Sequence, residues 1–109
     1  MFLGVFSIIS RKDELNAIFS DVDENIHKVV TELIDDVVFL EDRMRQLKTL
    51  PFLRIHPTDK TLMKPTAAAR QYKECSQSYM NAIRILVGIL KKTDEDAAAE
   101  LLEKLKEFQ

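Results

Sequence analysis

Residues 22–48 read VDENIHKVVTELIDDVVFLEDRMRQLK, a run without glycine or proline. Within it Ile26, Val30, Leu33, Val37, Leu40, Met44 and Leu47 recur at alternating steps of four and three, the spacing that holds side chains on one stripe of an α-helix. At 1.5 Å rise per residue the run predicts a helix of roughly 40 Å. A second stripe, Tyr72, Cys75, Tyr79, Ala82, Leu86 and Ile89, follows further along the chain and predicts a helix over about 66–92. Two such stripes joined by a loop predict an antiparallel helical hairpin. Val22, Val29, Ile34 and Val38 widen the apolar surface of the first helix beyond a two-helix seam, so more than one neighbour has to cover it. The expected fold class is all-α: a long antiparallel helical hairpin with short flanking N- and C-terminal helices, self-associating through its heptad faces.

Local signals place the boundaries. Ser10 with Asp13 forms a capping pair for a short helix carrying Leu15, Ile18 and Phe19 on one side. Asp21 with Glu24 repeats the pattern for the first long helix. Pro51 closes that region. The stretch Pro51 to Pro57 alternates weakly between two prolines and reads as extended chain, with room for a brief β-bridge between subunits. Thr58 to Lys64 reads as a polar loop. The whole connection, 49–65, exceeds the two to eight residues usual between paired helices, and long connections often carry function. Pro65 and Thr66 suit the start of the second long helix. Gly88 inside it implies close approach of another helix. Thr93 and Asp96 open a final helix over about 94–107, striped by Ala98, Leu101, Leu105 and Phe108.

At 109 residues the chain is one domain, with an apolar extension over 1–10 and a helical domain over 11–109. Ten residues are too few to span a bilayer, which takes about 20. Neither a basic start nor a small-residue cleavage site is present. This extension is expected to dock on the core or to be sequence upstream of the natural start, ahead of membrane contact. Two glycines and three prolines leave little turn material for a larger sheet. One cysteine rules out an intrachain disulfide and suits a reducing compartment, consistent with the cytoplasm.

The net charge of −2 conceals three blocks. Residues 11–42 carry three Lys/Arg and ten Asp/Glu, residues 43–92 carry eleven Lys/Arg against Asp59 and Glu74, and residues 93–109 carry two Lys and six acids. Such a series reads either as solvated helix faces or as surfaces meant to meet opposite charge.

Catalytic chemistry is hard to assemble. Cys75 sits at a core position of the second helix and reads as a structural thiol. His27 and His56 lack a second His or Cys at ligand spacing. Asp35, Asp36, Glu41 and Asp42 read as solvated acids on a helix. There is no glycine-rich phosphate loop. The expectation is a non-enzyme with no cofactor, no metal and no small-molecule substrate; an enzyme using Cys75 and His56 is the weakest alternative.

The basic middle is more informative. Arg43, Arg45, Lys48, Arg54, Lys60, Lys64, Arg70 and Lys73 surround one tip of the expected hairpin, with Phe52 and His56 interleaved. An exposed cluster of this kind neutralises phosphates. No helix-turn-helix with its short glycine turn is present.

Three runs carry a resemblance: Leu33-Ile-Asp-Asp-Val-Val-Phe-Leu-Glu-Asp-Arg-Met44, Leu50-Pro-Phe-Leu-Arg-Ile-His-Pro57 and Lys64-Pro-Thr-Ala-Ala-Ala-Arg-Gln-Tyr72. Together they resemble bacteriophage small terminase subunits, in particular the short helical-hairpin family of prophages in Gram-positive bacteria, over about residues 11–92. The resemblance implies a non-catalytic DNA-packaging factor in the bacterial host cell. It would form homo-oligomers, bind phage DNA and regulate the large terminase subunit. The alternative is a prophage-derived helical adaptor that binds protein only.

Overall fold

The computed structural model describes residues 10–108. Most of the apolar extension, residues 1–9, lies outside them. Four helices and a small β-ribbon follow in the order α1 (Arg11–Ile18), α2 (Glu24–Lys48), β1 (Leu53–Ile55), β2 (Met63–Pro65), α3 (Ala67–Thr93) and α4 (Glu95–Lys106). The long helices α2 and α3 pack as an antiparallel pair. Helix α1 packs on α2, α4 packs on α3, and α1 and α4 meet each other. The result is a slab of 59 × 41 × 21 Å, whose short dimension suits two layers of helices about 10 Å apart. Among the described residues no helix is long and apolar enough to cross a membrane.

The caps explain the boundaries. The Ser10 hydroxyl accepts the Asp13 N–H at 3.1 Å, as its spacing predicts. Helix α2 is capped by Asp23, which accepts the Asn25 N–H at 3.2 Å, and not by Asp21. The reason lies upstream. After α1 the chain tightens into a turn in which the Val22 N–H donates to the Phe19 carbonyl, and both side chains enter the core. That turn uses the residues that would otherwise have opened the helix. Thr66 caps α3 through the Ala69 N–H. Asp94, not Thr93, caps α4, accepting the Asp96 and Ala97 N–H groups. It adopts an extended conformation, so one residue turns the chain from α3 into α4.

The buried line of α2 is Val30, Ile34, Val37, Glu41, Met44 and Leu47, rotated from the expected seam. Ile26 is exposed, and Leu33 and Leu40 are only half-buried. The rotation follows from packing: α2 is covered by α1 as well as α3, so its buried stripe centres between the two neighbours. From α3, Tyr79, Ala82, Ile83, Leu86 and Leu90 are buried, while Tyr72, Cys75 and Ile89 are half-buried. Helix α4 contributes Ala98, Leu101 and Leu105. Gly88 also departs from expectation. A Cβ there would meet nothing within 4 Å, so among the described residues no neighbouring helix accounts for a residue that costs about 1 kcal/mol against alanine.

The largest departure is Glu41, read from sequence as solvated and in fact 1% exposed. Its carboxylate accepts two bonds from the Arg11 guanidinium, each at 3.1 Å, and one from the Tyr79 hydroxyl at 2.7 Å. Arg11 also donates to the Lys104 carbonyl at 3.0 Å and to Glu107 at 3.3 Å. Residues from all four helices thus meet around one carboxylate. A bidentate guanidinium and a phenol satisfy most of its acceptor sites, which is the condition for burying an ionised group. Desolvation alone would lower the Arg11 pKa, but the Glu41 hydrogen bond and charge outweigh it and the shift is upward. Burial, then the Glu41 hydrogen bond and charge, push the Tyr79 phenol well above its usual range.

Two predictions follow from this cluster. Glu41→Ala leaves a guanidinium and a buried hydroxyl without their acceptor and should cost on the order of 3 kcal/mol, whereas Asp42→Ala, one residue away and exposed, should stay within about 0.5 kcal/mol. Urea unfolding of the two variants measures the contrast, and equal losses would contradict the burial of Glu41. The raised Tyr79 pKa also has a defined sign. The folded state holds the phenol's proton more tightly than the unfolded chain, so this contribution is complete below the ordinary tyrosine pKa of about 10 and lost as pH rises beyond it. Tyr79→Phe should therefore melt lower at neutral pH yet decline less steeply than the wild type above pH ~10, as followed by circular dichroism.

Candidate nucleic-acid interface

The extended segment after Pro51 pairs with a second short strand of the same chain. Leu53 faces Pro65, Arg54 faces Lys64, and Ile55 faces Met63 in an antiparallel ribbon. The expected polar loop thus gives up its last residues to β2. The base is closed by the Thr66 hydroxyl on the Pro51 carbonyl at 2.6 Å and the Thr66 N–H on the Phe52 carbonyl at 3.1 Å. Phe52 packs on Tyr72 of α3, with ring centroids 5.3 Å apart, which ties the ribbon to the hairpin. At the far end the His56 N–H donates to the Leu62 carbonyl, and His56 Nδ1 faces the N–H groups of Thr58 and Asp59 at 3.2 Å. The Asp59 carboxylate accepts from the hydroxyl and N–H of Thr61 at 2.6 and 3.0 Å, and these bonds hold its pKa below the usual carboxylate value.

Every strand residue of the ribbon is exposed. Residues directly opposite each other share a face. One face therefore carries Arg54 and Lys64, with His56 and Leu62 continuing it; the other carries Leu53, Ile55 and Met63. Two cations directly opposite each other repel, a destabilising arrangement in a ladder. Among the described residues neither Arg54 nor Lys64 has an acidic partner.

The eight cations expected at the tip divide into two groups. Arg43 is bonded to Gln46 and Gln71. Arg45 pairs with Asp42 at 3.1 Å and lies over the Phe108 ring. Lys48 lies over the rings of Tyr72 and Phe108. These three end α2 and are engaged in holding the hairpin and α4 together. Arg54, Lys60 and Lys64 on the ribbon, with Arg70 and Lys73 on the first turns of α3, make no side-chain hydrogen bond or ion pair among the described residues. The seam residues Val30, Val37, Met44, Leu47, Tyr79 and Leu86 belong to the core and not to this tip. Cys75 is half-buried on α3, while His56 is exposed at the ribbon turn. Among the described residues no three His, Cys, Asp or Glu side chains gather in a way that would hold a metal.

If repulsion between Arg54 and Lys64 loads the ribbon, Lys64→Glu should relieve it. An opposite-charge cross-strand pair contributes roughly 0.2–1 kcal/mol, so amide hydrogen exchange at 53–65 should slow by a few-fold; faster exchange would show that the two side chains do not face each other.

No known protein family, curated protein or solved structure matches this chain.

Proposed function

We propose that this chain is a non-catalytic, self-assembling DNA-packaging factor of the small terminase subunit kind. It would work in the cytoplasm of a bacterial host and contact the phosphates of phage DNA through its ribbon tip. The observation that carries the reading is the cross-strand pair Arg54–Lys64 on an exposed ribbon without acidic partners. A polyanion supplies the countercharge that the chain itself withholds. A two-stranded ribbon also fits the major groove of B-DNA, about 12 Å wide, so the missing helix-turn-helix is no obstacle to groove contact. Lys60 at the turn, and Arg70 and Lys73 on the first turns of α3, are also exposed and would add contacts to flanking phosphates. Contact with a large terminase subunit is the remaining part of the reading and rests on the sequence resemblance.

A second reading, a helical adaptor that binds only protein, is favoured by the ribbon's other face. Leu53, Ile55 and Met63 are each more than half exposed, which suits an apolar partner surface. The two readings differ in salt dependence. Each phosphate neutralised contributes about 0.9 to the slope of log affinity against log salt on duplex DNA. Replacing Arg54 and Lys64 together by alanine should therefore flatten the slope by about 1.8 and weaken binding to all sequences alike. Fluorescence anisotropy with a labelled duplex over a salt series measures it. Absence of DNA binding at about 50 mM salt would remove the DNA reading and leave the adaptor.

A further inference from the structure

Two outward features of the slab match each other. Phe39 is 67% exposed, the most exposed large apolar side chain among the described residues. It lies two residues from both Val37 and Glu41, which are buried, and so points about half a turn away from the core. Its neighbours on that face of α2 are Glu32, Asp35 and Asp36, one to two turns back, all exposed. Asp35 holds Lys12 at 2.8 Å; Glu32 and Asp36 have no partner among the described residues.

Gly88 stands in the same relation to α3. It lies two residues from Leu86 and Leu90, both buried, and so also faces outward. With Met80, Ile83, Arg84, Val87 and Lys91 it lines an open concavity of about 370 Å³. Arg84 and Lys91 line it, Lys92 lies one helical turn after Gly88, and none of the three is in an ion pair among the described residues. Among the described residues nothing beyond the adjoining backbone of α3 lies within 4 Å of where a Cβ would stand. One helix thus offers an aromatic knob among acids, and the other an open notch, lined in part by glycine, among bases. Phe39 shares a groove with Ile85, one turn from Gly88, so knob and notch sit at similar heights on the two long helices.

We propose that a second copy of this chain occupies the notch: Phe39 of one copy enters the Gly88 concavity of the next, with Glu32, Asp35 and Asp36 meeting Arg84, Lys91 and Lys92. Charge complementarity between these two surfaces selects the occupant. A side chain at position 88 would project into this open space, where the ring is placed. Phe39 lies in the groove with Ser78, Asn81 and Ile85, whereas the notch opens on the flank of α3 that borders α4 through Met80 and Ile83. One copy therefore turns the two features toward different neighbours, the contact is head-to-tail, and an open assembly keeps one free knob and one free notch until a ring closes or a filament grows. The inference rests on the self-assembling part of the proposed function and is independent of DNA binding.

Sedimentation velocity of the full chain at tens of micromolar tests it. The wild type should sediment as more than a dimer and dissociate as salt is raised. Phe39→Ser and Gly88→Leu should each be monomeric with undiminished helicity, since neither position supports the core. Mixed in equal amounts they should form a one-to-one dimer, because one variant keeps its notch and the other its knob. Should either variant melt early, Asp36→Lys and Lys91→Glu carry the same test: each alone loses assembly, and their mixture regains it through the exchanged charges. A monomeric wild type would overturn both this inference and the self-assembly in the proposed function. Assembly undiminished in all single variants would overturn the inference alone. Loss in the single variants without recovery on mixing would also overturn it, by showing that the contact is not head-to-tail.

Discussion

The carboxylate of Glu41 is the constraint on which the described fold depends. A buried ionised group is tolerated only when its acceptor sites are filled. Filling them here requires Arg11 from α1 and Tyr79 from α3, while the other guanidinium contacts reach Lys104 and Glu107 at the end of α4. Apolar packing alone would let the short outer helices slide along the long pair, since Leu15, Ile18, Leu101 and Leu105 can find other apolar neighbours. The polar cluster has one geometry. It therefore sets the register of α1 and α4 on the hairpin, a role better supported for buried polar groups than any gain in net stability.

That register has consequences for the surface. With α1 and α4 fixed on the long pair, the groove lined by Leu33, Phe39, Leu40, Ala82 and Ile85 contains no residue of either short helix. The ribbon extends from the end of the hairpin, joined through Phe52 and Tyr72. Arg45 and Lys48, placed against Phe108, link the end of α4 back to α2. The cations nearest the core are thus part of the scaffold, whereas those beyond Pro51 have no such work.

Sequence patterns made the helices legible because their signals are local. The Ser10–Asp13 pair and the Thr66 cap lie within a turn of what they specify, and the structure agrees with them. The phase of α2 was less legible. Heptad spacing reports one neighbour, whereas α2 has two, and the stripe turns away from Ile26 toward Ile34 and Glu41. Glu41 itself could not be read as buried, because Arg11 and Tyr79 lie 30 and 38 residues away along the chain, and nothing local distinguishes it from Asp42. The ribbon was only half visible. Its strands are three residues each and one ends on a proline, too short for alternation to establish a period, so the polar reading of 58–64 concealed β2. The tip cations were found as a cluster, but their separation into engaged and unpartnered groups depends on Phe108, which sequence separation hides.

Charge in this chain is allocated by position. The acidic block of α2 is partly used inside the molecule, where Glu41 takes Arg11 and Asp35 takes Lys12. The basic block is hardly used there at all: from Lys48 to Lys92 no Lys or Arg joins an ion pair among the described residues. A chain that needed only internal compensation would place its acids within reach of these cations, because a screened surface pair contributes little but costs little. Instead Arg54 and Lys64 are held face to face, a local penalty that an external anion reverses. Arg84, Lys91 and Lys92 lie on the outer side of α3, away from the acids of α2 in the same molecule. The two unpaired groups sit at different places, one at the tip and one along the flank, so they call for different counterparts. A polyanion can neutralise the tip without covering the flank, and a neighbouring copy can cover the flank without closing the tip. The separation would let the proposed assembly and the proposed nucleic-acid contact coexist on one small domain.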